Sequence, residues 1–77
     1  MRFILKGKAY ELTREDVERK MKRINPEPIR KHYVVINRTK YPPKQVLEIC
    51  IGLPRIHFTT MNAASILSRL GFEFGTV

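Results

Sequence analysis

The sequence predicts a small α+β domain in the order β-β-α-β-β-α-α-β, with two short hairpins packed against three helices. Three observations predict it. Two helices in the second half carry their own start and stop residues, Pro43 to Gly52 and Thr59 or Thr60 to Gly71. Two pairs of short strand-like runs each flank a tight turn, one holding Gly7 and the other Asn37-Arg38. A third helix is marked by Thr13 with Asp16 three residues on, the spacing of a capping box. Seventy-seven residues, 43% of them hydrophobic, suffice for one small core and no more. We read residues 1–77 as a single domain: 1–40 form a hairpin, a basic helix and a second hairpin, and 41–73 a two-helix core with a closing strand.

Arg2-Phe3-Ile4-Leu5 and Ala9-Tyr10-Glu11-Leu12 flank Lys6-Gly7-Lys8, whose glycine suits a hairpin turn. Thr13 then caps a helix predicted over about 14–24, with Leu12 and Val17 in the N′ and N4 staple positions. Val17, Met21 and Ile24 recur at i, i+4 and i+7 as its buried stripe. Glu15, Asp16 and Glu18 open the helix and Lys20, Lys22 and Arg23 close it, as the macrodipole prefers, with Glu15–Arg19 and Glu18–Lys22 at i,i+4 spacing. Helix stability therefore accounts for part of this charge pattern.

Asn25-Pro26-Glu27-Pro28 ends the helix, because the residue before each proline is pushed out of the α region. Tyr33-Val34-Val35-Ile36 reads as a strand buried on at least one face, and Thr39-Lys40-Tyr41 as its return. Pro43 suits the first position of a helix, where its missing N–H costs nothing. Val46, Leu47, Ile49, Cys50 and Ile51 make that helix apolar on most of its surface. In the last helix Ala63, Ala64, Ile66, Leu67 and Leu70 face inward. With Leu70 as C-cap, Gly71 takes the left-handed C′ position and Phe72 packs on Leu67 in a Schellman motif. Phe72-Glu73-Phe74 alternates as a closing strand. About eight residues separate the last two helices, too many for a strict helix-turn-helix. Few side chains on the second of them, chiefly Asn62, Ser65, Ser68 and Arg69, could read bases.

The net charge is +8, and its location matters more than its size. Residues 1–18 and 45–77 are each neutral, whereas 19–44 hold nine Lys or Arg against Glu27 alone. A merely solvating surface mixes signs, so a segregated basic segment points to a polyanion. The candidate phosphate contacts are Arg19, Lys20, Arg23, Arg30, Lys31, Arg38, Lys40 and Lys44, with Arg55 and His57 in the later loop. Tyr33 or Tyr41 could stack on a base, although strand tyrosines are more often core. The expectation is a nucleic-acid-binding module, DNA ahead of RNA. The alternative is a protein-interaction adaptor docking on an acidic partner.

Other classes are disfavoured. One cysteine gives no internal disulfide and no four-ligand zinc site, and Cys50 lies on the most apolar helix, the place of an inert thiol. His32 and His57 have no acid at catalytic spacing, and the glycines form no phosphate loop. No catalytic residue, metal or cofactor is expected. The apolar runs are too short to span a bilayer and the amino terminus lacks a signal-peptide core, which predicts a soluble, cytoplasmic protein.

Tyr41, Lys44, Val46-Leu47, Gly52, Phe58-Thr59-Thr60, Ala64, Leu67 and Leu70-Gly71-Phe72-Glu73 form a pattern that resembles small stand-alone prokaryotic proteins of unassigned function. It is more distantly similar to the amino-terminal head domain of McrA-type, modification-dependent HNH endonucleases. The similarity covers Tyr41 to Glu73, and most matched positions are structural. No HNH motif is present, and the loop at Leu53-Pro54-Arg55 is shorter and poorer in glycine than in the head domains. The resemblance implies an accessory nucleic-acid-binding module with Tyr41, Lys44 and Thr59-Thr60 as its matched polar positions, and a restriction-associated role is compatible with it.

Overall fold

Local chemistry places most elements of the computed structural model, which describes Met1–Val77. β1 (Arg2–Leu5) and β2 (Lys8–Glu11) pair antiparallel through a two-residue turn. Lys6 and Gly7 both have positive φ there, at 53° and 73°, the handedness that matches strand twist. Thr13 caps α1 (Arg14–Lys20) and exchanges both bonds of the capping box with Asp16. The backbone N–H bond from Thr13, followed by the Arg19 guanidinium, holds the Asp16 carboxyl below its usual range.

α1 is shorter than predicted. It stops at Lys20 with Met21 as C-cap, and Arg23 turns left-handed at φ 64°. The cause lies twenty residues downstream: the Tyr41 hydroxyl bonds the Met21 and Ile24 carbonyls at 3.3 and 3.1 Å. The 25–28 linker is held in turn by the buried side chain of Gln45, which donates to the Asn25 carbonyl and accepts from the Glu27 N–H, both at 2.9 Å. The anticipated Glu15–Arg19 and Glu18–Lys22 pairs give way to Asp16–Arg19 and Arg14–Glu18.

β3 (His32–Ile36) and β4 (Thr39–Tyr41) form the second hairpin, and β5 (Glu73–Thr76) pairs on the other side of β3, in the order β4-β3-β5. Asn37 and Arg38 make its turn without a glycine, at φ 53° and 65°, and Asn37 Nδ2 anchors the tip by donating to the Glu18 carbonyl at 2.9 Å. α2 (Pro43–Ile51) begins at its proline and ends at Gly52 with φ 72°. A 3-10 turn at Arg55–His57 leads into α3 (Thr60–Arg69), capped reciprocally by Thr59 and Asn62. At its end Phe72 N–H bonds the Leu67 carbonyl and Gly71 N–H that of Ser68, the Schellman pattern.

Val34, Ile36 and Tyr41 point from the inner face of the three-stranded sheet into a core with Leu12, Val17, Met21, Val46, Leu47 and Leu67. All three helices contribute to that core, and the opposite sheet face stays open. Arg14 ties the ends of the chain together. It donates to the Gly71 carbonyl at 2.8 Å and lies 4.6 Å over the Phe72 ring. No helix is long and apolar enough to cross a membrane.

Candidate nucleic-acid interface

The linker 27–32, the start of α2 and the start of α3 enclose a cleft of about 470 Å³. Arg30, Lys31, His32, Lys44 and Thr60 line it together with Pro42, Pro43 and Arg55, and no hydrophobic residue does. The prolines make the linker rigid and start α2, so these cations are presented by backbone with little freedom. α2 has no side-chain N-cap and no acid in its first turn. The backbone N–H groups of Lys44 and Gln45 therefore have no intrahelical acceptor at the positive end of the helix dipole.

Arg55 is the exception in this cleft. Its guanidinium donates to both Glu27 oxygens at 2.7 and 2.8 Å and to Glu48 at 2.7 and 3.0 Å, while its backbone N–H bonds Glu48 at 2.9 Å. These bonds hold both carboxyls below the ordinary glutamate range and raise the arginine further. Arg55 is thus a pin between the linker and α2, already matched by two carboxylates. Glu27, the one acid in the basic segment, is its partner, and that isolation was the only sequence signal for the triad.

The remaining cations separate by what they touch. Arg19 is paired with Asp16 at 2.8 Å, and Lys20 donates to the Cys50 carbonyl at 2.8 Å, at the far end of α2. Arg23 is exposed beyond α1, and His57 is exposed in the 3-10 turn. Arg38 sits at the hairpin tip beside Glu18 and Glu73. Lys40 projects from the open sheet face, its ammonium 4.7 Å from the Tyr33 ring centroid. Arg30, Lys31, Arg38, Lys40 and Lys44 form no ion pair and no side-chain hydrogen bond within the chain. The basic residues therefore do not share one face. The cleft and the adjoining hairpin hold five of the unpaired ones, and the exposed Lys22 and Arg23, past the end of α1, lie outside the cleft lining.

Tyr41 corrects the expectation. It is 3% exposed, with its hydroxyl taken by two carbonyls, so it positions the linker and cannot reach a ligand. Cys50 is buried as well, and desolvation pushes its thiol up to about 11, which leaves it protonated and unreactive near neutrality.

A family model described as SCO5918-like matches residues 1–76, nearly the whole chain. The chain belongs to the SCO5918-like family. That match supports a small domain spanning the sequence and gives no support to the distant likeness to endonuclease head domains. No curated protein and no solved structure matches the chain.

Proposed function

We propose that this SCO5918-like domain binds nucleic acid, gripping backbone phosphates with Arg30, Lys31 and Lys44 in the cleft and with Lys40 and Arg38 on the adjoining hairpin. One observation carries the reading. Three unpaired cations surround the uncapped start of α2, where the helix dipole and the free N–H groups already favour negative charge. Stability alone would place acids there. An anion relieves both the mutual repulsion of the cations and the open donors, and a phosphate backbone supplies such anions in series.

DNA stands ahead of RNA only on the likeness of Tyr41–Glu73 to the endonuclease head domains, which is also the ground for a restriction-associated role. The reading is of binding without chemistry, in support of which the one thiol is buried and protonated. A nucleic-acid partner would place the protein in the cytoplasm. The test is a fluorescence-anisotropy titration into labelled duplex DNA, single-stranded DNA and RNA at about 50 and 200 mM salt, where several phosphate contacts change affinity steeply. Binding that weakens strongly with salt supports the reading, and flat anisotropy on all three with folded protein overturns it.

A second reading has its own observation. A groove of about 520 Å³ runs between the unpaired edge of β1 and one face of α3, with Ile4 73% exposed and Arg2 and Arg69 along it. An acidic protein segment could dock there. In that case losses on mutation concentrate in one or two anchors and depend weakly on salt.

A further inference from the structure

The open face of the three-stranded sheet carries a feature that phosphate binding alone leaves unexplained. Tyr33 lies on the central strand, and its cross-strand partner is Gly75. A Cβ at position 75 would collide with the Tyr33 hydroxyl and ring carbons, so the hydroxyl end of the ring packs directly against the glycine. Lys40 stands over this ring, its ammonium 4.7 Å from the centroid. The half-buried ring thus packs against Gly75 on the open sheet face, with the exposed Lys40 side chain over it.

Its neighbours are spaced along the same face. Lys31 immediately precedes β3 and extends its ladder, since its carbonyl accepts from the Val77 N–H at 2.9 Å, and it lies two residues from Tyr33, the spacing of one strand face. Lys40 is paired with Val35, two residues beyond Tyr33 on that face. Cation, aromatic and cation therefore follow one another over about 13 Å of strand, roughly 6.6 Å per step. Lys31 also lines the cleft, so the track runs without a break from Arg30 and Lys44 onto the sheet. Glu73, paired with Val35 from β5, sets its acidic limit on the other side.

From this arrangement we infer that the ligand is a single-stranded nucleic acid, with one base stacked on Tyr33 and the flanking phosphates held by Lys31 and Lys40. The inference rests on the nucleic-acid reading and sharpens it. Paired bases in a duplex keep their faces inside the stack, out of reach of a ring on a sheet face, whereas an unpaired base offers its face to any aromatic platform. Lys40 swings from the ring to a phosphate as the base arrives. The stack is tolerant of sequence, because every base has a π-face.

The test uses the full chain, with 5′-labelled dT8, U8 and a duplex of matched length as probes at about 100 mM salt. Wild type should bind the single strands more tightly than the duplex. Tyr33→Leu should weaken single-strand binding by about 5- to 100-fold, the range for losing one base stack, and leave duplex binding and the salt slope unchanged. Tyr33→Phe should bind as wild type does. Should Tyr33→Leu fail to fold, the Tyr33 ring protons of the wild-type protein provide the same information, moving upfield by NMR as dT8 is added. An unshifted ring at saturating dT8, or equal affinity of folded Tyr33→Leu, overturns the inference. If the duplex also binds in that case, the nucleic-acid reading survives. If no probe binds at all, both fall.

Discussion

The two ends of α2 use basic side chains in opposite ways. At the C-terminal end Lys20 crosses from α1 and donates to the Cys50 carbonyl at 2.8 Å, which satisfies an acceptor that the helix leaves open. At the N-terminal end Lys44, Arg30 and Lys31 meet a helix terminus that is itself positive and find no acceptor in the chain. Nine residues of helix separate the two ends, about 13 Å. Lys20 belongs to folding and Lys44 opposes it, although the two are indistinguishable as letters in one basic segment. Side chains that conflict with their local backbone are where function is to be sought.

The strongest way to break this contrast is to remove the three cleft cations together. Arg30→Ala, Lys31→Ala and Lys44→Ala combined should lower the slope of log affinity against log salt by about three units. The urea midpoint should rise slightly, as the repulsion at the start of α2 is relieved. A matched variant lacking Arg19, Lys20 and Arg23 should keep its slope. Equal slopes in the two triple variants would erase the distinction between the ends of α2.

Arg55 is the next largest case, because it lines the cleft and yet belongs to the folding class. Arg55→Met leaves Glu27 and Glu48 facing each other, and we expect a loss of about 1–2 kcal/mol at pH 7, discounted because the side chains are about one-third exposed. The pH dependence has a definite sign. Both carboxyls titrate below their ordinary value of 4.5 in the folded state, so their contribution is complete above that pH and disappears as pH falls through the lowered values. Urea titrations of wild type and Arg55→Met should therefore show a gap that is constant near neutrality and closes below about pH 4.5. A gap that widens in acid would mean the triad is not what holds the linker.

Tyr41→Phe should cost about 1 kcal/mol, the net worth of a hydroxyl bonded to two carbonyls, with no effect on the salt slope. Measuring both quantities on one preparation separates a linker pin from a ligand contact.

The same contrast explains which parts of the molecule were legible in the sequence. The Thr13–Asp16 capping box, the threonine cap of α3, the Schellman end at Leu70-Gly71-Phe72 and the proline start of α2 depend on residues within six positions of one another, and all are present. The end of α1 depends on Tyr41, and the linker on Gln45, which nothing local distinguishes from a surface glutamine on a helix. The basic segment was visible as composition. Its division into engaged and free cations was not, because Lys20 finds its carbonyl thirty residues away and Arg55 finds Glu27 twenty-eight away. Tyr33 and Tyr41 carry the same strand signature, and only the sheet register sends one outward onto Gly75 and the other into the core.

The smallest expected effect is also the most diagnostic, because it reverses sign between the two ends. Lys20→Met removes a charge-assisted bond to a helix C-terminus and should lower stability by about 0.5–1 kcal/mol. Lys44→Met removes a cation from a helix N-terminus and should raise stability by about 0.3–0.5 kcal/mol. Both changes delete one positive charge from the same segment, keep a long unbranched side chain and have similar helix propensity. Any general effect of net charge on stability is therefore common to the pair, and the difference between them reports position alone. On nucleic acid the order should invert, with Lys44→Met lowering the salt slope by about one unit and Lys20→Met leaving it unchanged. Chemical denaturation of the two variants, read beside their salt titrations, would show stability and binding moving in opposite directions at Lys44. A Lys44→Met that is less stable than wild type would mean that some acceptor engages this lysine, and the case for an anion in the cleft would lose its first support.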